Sequence, residues 1–176
     1  MTLLIAIATH TPPWVLLVLA LLVFLGVQAL RPRTVALARV FITPAVFIGW
    51  GLVSLAAAAK TAPAVLPAAA IAAVLGVGLA LLSVRLDALR AEPGRVTLPG
   101  SALPLVRNLA IFVAKFVIAV ALAVRPDRRE ALLLADAAVS GAALGYFAGW
   151  TLRLVAAYRR ALRRDESEAM SAPRPL

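Results

Sequence analysis

The sequence contains no cysteine, which removes disulfides, thiolate metal sites and thiol redox chemistry from consideration. Its single histidine, His10, sits at the extreme N-terminus, and only eight residues are acidic. A metal centre needs several His, Cys or carboxylate ligands gathered together, so no metal site and no cofactor are expected. No GxSxG, HExxH, phosphate-binding-loop or dinucleotide fingerprint is present. Gly76-Val77-Gly78 is a lone glycine pair inside an apolar run, and no residue stands out as catalytic. The first ten residues carry no Lys or Arg, so the basic start of a cleavable signal peptide is missing. Charge is sparse throughout, at 15% of residues against ~25% in a typical soluble domain.

What the chain has in excess is long apolar runs. Hydrophobic residues make up 63%, where a soluble domain carries ~45–50%, and they fall in stretches long enough to cross a bilayer. The pattern predicts an all-α integral membrane bundle of about five transmembrane helices, over residues 13–30, 37–59, 64–84, 104–124 and 131–152. Residues 3–8 are too short to span and read as an interfacial piece, turned by His10-Thr11-Pro12-Pro13 and followed by Trp14 at the boundary. Arg31-Pro32-Arg33 stops the first span, Thr43-Pro44 predicts a kink in the second, and Lys60-Thr61-Ala62-Pro63 turns into the third. Residues 85–103 form the longest internal loop, with turn signals at Glu92-Pro93-Gly94 and Pro99-Gly100, a brief extended piece at Arg95-Val96-Thr97-Leu98, and Ser101 placed to cap the fourth helix. Residues 1–155 thus form a transmembrane domain, and 156–176 a basic helical extension that projects from the membrane and a disordered tail from 165.

The net charge of +10 lies beside these spans rather than in a separate basic region, which fits membrane topology and anionic lipid and not nucleic acid. With five spans, connections one and three and the tail share a side. That side holds 13 basic residues: Arg31, Arg33, Arg39, Arg85, Arg90, Arg95, Arg107, Arg153, Arg159, Arg160, Arg163, Arg164 and Arg174. The other side holds four, Lys60, Arg125, Arg128 and Arg129, and Lys115 lies within a span. The positive-inside rule then puts the N-terminus outside and the C-terminus in the cytoplasm. A re-entrant hairpin of the last two spans is the alternative that would bring Arg125, Arg128 and Arg129 inside.

Few residues break the apolar pattern. Lys115 lies ~16 Å into the fourth span at ~1.5 Å per residue, near the bilayer centre, where an unpaired charge costs at least ~2.5–3.5 kcal/mol. Asp136 in the fifth span is the obvious partner. Around the intervening turn Lys115 faces Ser140, with Asp136 one turn nearer the outside, so a direct pair and a bridge through Ser140 or water both remain open. Asn108 shares a helix face with Lys115 and, with Gln28 and Arg107, makes either a polar patch at the cytoplasmic side or an ordinary interfacial helix end. Ala72, Gly76 and Ala80 form a small-residue stripe in the third span. Gly141, Gly145 and Gly149 form a stricter one in the fifth, suited to close packing on another span or on a second copy of the chain. Arg159, Arg160, Arg163 and Arg164 cluster just beyond the fifth span, where they attract anionic lipid headgroups or simply set topology.

His10-Thr11-Pro12-Pro13-Trp14-Val15, Arg31-Pro32-Arg33, Leu98-Pro99-Gly100-Ser101-Ala102-Leu103-Pro104-Leu105 and Phe112-Val113-Ala114-Lys115-Phe116 resemble a family of small bacterial inner-membrane proteins of unknown function, over roughly residues 8–155. The resemblance implies a multi-pass bacterial inner-membrane protein and supplies no catalytic residues. The function expected is therefore non-enzymatic, through helix packing or as an assembly partner. A small ion or solute transporter using Lys115 and Asp136 is the alternative.

Overall fold

Among the described residues five helices make up most of the chain, as the apolar runs require: α1 (Pro13–Gln28), α2 (Leu37–Thr61), α3 (Val65–Ser83), α4 (Leu103–Val124) and α5 (Arg129–Ser171), with a 3-10 turn at Pro126–Arg128 leading into the last. The computed structural model describes residues 13–83, 86 and 89–171, leaving out the side chains of Trp14, Thr43, Val46, Trp50, Thr61 and 165–171. The expectations for residues 3–8, for His10 to Pro12, for the Trp14 ring, for Arg85 and for Arg174 fall outside the described residues. Four of the helices, α2 to α5, are long and apolar enough to cross a membrane. The fifth, α1, is 16 residues, or about 24 Å.

α3 and α5 form the most extensive helix pair, and small residues make it. A Cβ placed on Gly141 would fall on the carbonyl oxygen of Ala69, one on Gly145 on that of Ala73, and one on Gly76 on that of Ala142. At Gly149 it would stand 3.1 Å from the Val77 carbonyl oxygen and 3.0 Å from the Ala80 Cβ. The glycine stripe therefore packs on another helix of the same chain, backbone against backbone. The stripe it meets runs through Ala69, Ala73, Gly76 and Ala80. α5 also packs on α2 and α4, and α1 packs on α4, where Leu105 fills the space a Cβ on Gly26 would need.

Large residues on α3 point the other way. Val74, Leu75 and Leu82 are 72%, 68% and 85% exposed, while Ala69 and Ala80 are buried. A water-soluble helix buries its large apolar side chains and does not display them. Small residues inside and large ones outside is the arrangement a lipid solvent favours, because tails cover leucine at no cost and helix contact depends on close approach.

The all-α expectation needs correction. Three strands, β1 (Arg33–Ala36), β2 (Arg90–Glu92) and β3 (Arg95–Leu98), form an antiparallel sheet in the order β1-β3-β2. The extended piece at 95–98 was legible; its two partners were not. Pro93-Gly94 turns the β2–β3 hairpin, with Gly94 at a φ of 75°, the region a type II turn reserves for glycine. Val35, Val96 and Ala91 align across the sheet, and Val96 and Ala91 bury with Leu89 and Leu154. Tyr158 ties the hairpin to α5: its hydroxyl donates to the Glu92 carbonyl at 3.0 Å and accepts from the Gly94 N–H at 3.1 Å.

The extension of α5 is corrected likewise. One face of it, through Leu154, Ala157, Tyr158, Ala161 and Leu162, is packed against the sheet and its surrounding residues, so it does not project as a bare helix. The helix also continues to Ser171, beyond the point where order was expected to end, because no proline interrupts it before Pro173. Pro44 stands inside α2, which runs through it without a break. Ser101 accepts a hydrogen bond from the Leu103 N–H at 3.2 Å, capping the start of α4.

Gly76 and Gly78 test the α3–α5 contact from within one helix, since a Cβ at Gly78 would meet nothing within 4 Å. Gly76→Ala should destabilise by about 1–3 kcal/mol, and Gly78→Ala should stay within about 0.5 kcal/mol of the parent. Thermal unfolding of the two variants in one detergent checks this; equal effects would mean that the backbones are not in close contact.

Candidate functional site

Two polar groupings interrupt the apolar bundle. The first joins α4 to α5. Their antiparallel course around the Pro126–Arg128 turn brings Lys115 level with Ser140 and near Asp136. Lys115 Nζ donates to Asp136 Oδ1 at 2.7 Å and to Ser140 Oγ at 2.8 Å, and Ser140 Oγ in turn donates to the Asp136 carbonyl at 2.8 Å. The four-carbon stem of lysine spans the one-turn offset, so the direct pair and the serine contact exist together. Ser140 is buried, whereas the Lys115 and Asp136 side chains keep 33% and 28% of their surface at the open side of the seam. The network is a charge pair with one extra acceptor for the ammonium, a means of holding two apolar helices in register.

The second grouping is a cavity of about 460 Å³ at the end of the bundle that carries the sheet. α1 contributes Gln28, β1 Arg33, α2 Arg39, and the first turns of α4 Arg107 and Asn108. Gln28, Arg107 and Asn108 line the cavity together. Asn108 and Lys115, although on one helix, belong to different sites about 10 Å apart along α4. Arg107 is held in place: its guanidinium carbon lies 4.4 Å from the Phe147 ring centroid and 5.2 Å from that of Tyr146, and its Nε donates to Asn108 Oδ1 at 3.0 Å. Phe147 is almost fully buried and stacks on Phe47 at 5.0 Å, so the platform under Arg107 is rigid.

Arg33 and Arg39 were legible only as topology signals, and nothing in the sequence singles out Phe147 or Tyr146. The alternation of Arg33, Val35 against Thr34, Ala36 in a strand is the one sequence feature that could have aimed Arg33 inward, had the strand been recognised. Among the described residues no three His, Cys, Asp or Glu side chains come together as metal ligands. Gly141, Gly145 and Gly149 lie against α3, away from both polar sites. Arg159, Arg160, Arg163 and Arg164 are exposed, on residues flanking the face that packs on the sheet.

The sequence profile of the family of unknown function DUF6622 matches residues 1–165. The chain belongs to this family. The match takes in all five helices up to the end of the sheet-packed part of α5, and both polar sites with it. No curated protein and no solved structure matches the chain.

Ser140→Ala should cost about 0.5–1 kcal/mol of stability, the usual worth of one hydrogen bond between membrane helices, because Asp136 remains to hold the lysine. Thermal unfolding beside Asp136→Leu checks the order. A serine loss as large as the aspartate loss would make Ser140 the main partner of Lys115.

Proposed function

We propose that the chain is a multi-pass protein of a bacterial inner membrane, with five spans, its N-terminus outside and its C-terminus cytoplasmic, that works without catalysis, through helix packing and as an assembly partner. The observation that carries this reading is the closed Lys115–Asp136–Ser140 network, in which the ammonium near mid-span is bound to partners on the neighbouring helix. Such a lysine is a tie between spans and not a free site on a transport path.

Two further observations support the topology. The 29–36 connection, the β2–β3 hairpin and the end of α5 meet at the sheet, and segments in contact outside the bilayer share a side of it. These are the segments richest in Arg, as the positive-inside rule asks of a cytoplasmic face. At the opposite end, the turn after α2 packs with the start of α5. Arg159, Arg160, Arg163 and Arg164, exposed beside the sheet, are placed to meet anionic headgroups at about 1 kcal/mol per charge.

Transport remains the second reading, and one feature favours it: about a third of the Lys115 side chain is open at the helix seam. A double-mutant cycle on thermal stability separates the two, using Lys115→Met, Asp136→Leu and the double variant. Coupling above ~1 kcal/mol is expected and supports a structural tie. Additive effects, with Lys115→Met neutral, would instead point to a lysine kept for a ligand.

Topology has its own test, made simple by the absence of native cysteine. In intact cells a membrane-impermeant maleimide should label Asp127→Cys and should reach Arg95→Cys only after permeabilisation. Protection of Asp127→Cys would favour the re-entrant hairpin.

A further inference from the structure

Three arginines from three elements meet at one concavity. Arg33 comes from β1, Arg39 from α2 and Arg107 from α4, and no carboxylate shares the lining with them. Among the described residues none of the three has an acidic partner within 4 Å. The positive-inside bias would be met by arginines pointing anywhere into the cytoplasm. It does not account for their convergence, nor for the aromatic platform that fixes Arg107 against Phe147 and Tyr146. Asn108, 6% exposed, lies on the same wall and accepts from Arg107 Nε through its Oδ1, which fixes the guanidinium from a second side. Converging guanidinium groups with no carboxylate among them favour a ligand rich in acceptor oxygens. The first turn of α4 also borders the cavity, through Ser101 and Pro104, and adds the positive end of the helix dipole.

Apart from Gln28 the rest of the lining is apolar, and Ile42, one of its residues, is 59% exposed on the outer surface of α2. The cavity is therefore continuous with the surface that meets lipid tails. We propose that it binds the phosphate of an anionic amphiphile, with Arg33, Arg39 and Arg107 on the phosphate oxygens and Leu25 and Ile42 against the attached chain. Arginine suits this task, since its planar fork meets two phosphate oxygens at once. At about 460 Å³ the cavity holds a headgroup and the start of a chain, the remainder running out along α2. Placing this site at the cytoplasmic leaflet rests on the topology proposed above; the binding chemistry does not, and the experiment is done in detergent, where orientation plays no part.

Thermal unfolding of the full chain in maltoside micelles is followed during titration with phosphatidylglycerol, with phosphatidylcholine and with inorganic phosphate. Phosphatidylglycerol should raise the midpoint where phosphatidylcholine does not. Arg33→Gln with Arg39→Gln should weaken its apparent affinity about tenfold or more, the scale of losing charge-assisted hydrogen bonds. Arg128→Gln with Arg129→Gln, exposed at the opposite end of the bundle, should change it less than twofold. Arg107→Lys, which keeps the charge and loses the fork, should also weaken it, and serves if the first pair compromises folding. An inorganic-phosphate shift of the same size with the same arginine dependence would keep the anion site and make a soluble phosphate its ligand. Equal shifts from both lipids, or indifference to Arg33, Arg39 and Arg107, would overturn the proposal.

Discussion

The contact on which the rest of the structure depends is the approach of α3 to α5 at Gly76, Gly141, Gly145 and Gly149. Gly76, Gly141 and Gly145 meet main-chain atoms of the facing helix directly, and Gly149 meets the Val77 main chain and the Ala80 Cβ. Side-chain hydrophobicity gives helices no reason to associate in lipid, so dispersion contact between backbones has to supply it. Once α5 is fixed in rotation against α3, its other faces are fixed too. Leu144 lies against Gly51 of α2, Phe147 faces Phe47 and Arg107, and Asp136 and Ser140 look toward Lys115 of α4.

The same helix passes between two packing regimes. Along most of α3 small residues are inside and large apolar ones outside, and the glycines of α5 meet its small face. Around the sheet the order is the other one: Leu154 and Val96 are fully buried, Leu89 nearly so, and Arg159 and Arg160 are exposed. Water makes the burial of large apolar groups favourable at roughly 25 cal/mol per Å², and lipid does not. The large exposed side chains of α3 and the large buried ones around the sheet therefore fit two different solvents. Arg153 donates to the Leu81 carbonyl, satisfying an acceptor that the end of α3 would otherwise leave open.

Cationic residues are handled differently at each depth. Lys115, deepest, is matched by a carboxylate and a hydroxyl on the next helix. Arg107, just over one turn into α4 from its start, is covered by aromatic faces and an amide oxygen. Arg33 and Arg39 line the same cavity from β1 and α2, and the arginines beyond Tyr158 face outward. The gradient follows the cost of charge, which is highest at mid-bilayer and falls toward the headgroups.

The chain alone determined the helical segments, the asymmetry of charge between their ends, the glycine stripe and the shared depth of Lys115 and Ser140. All of these are local or periodic: an α-helix closes its hydrogen bonds within four residues, so a position in sequence fixes depth and face. The extended piece at 95–98 was also local, through its turn signals. The tertiary structure decided what depends on distant partners. β1 pairs with a strand some sixty residues later, and nothing near Arg33 announces that partner. Without the strand, Arg33 reads as a loop charge, and the cavity it shares with Arg39, Arg107 and Asn108 cannot be assembled from spacing. The lysine's reach to both Asp136 and Ser140 was likewise decided by the rotation of α4 against α5, which a one-dimensional count of depth leaves free.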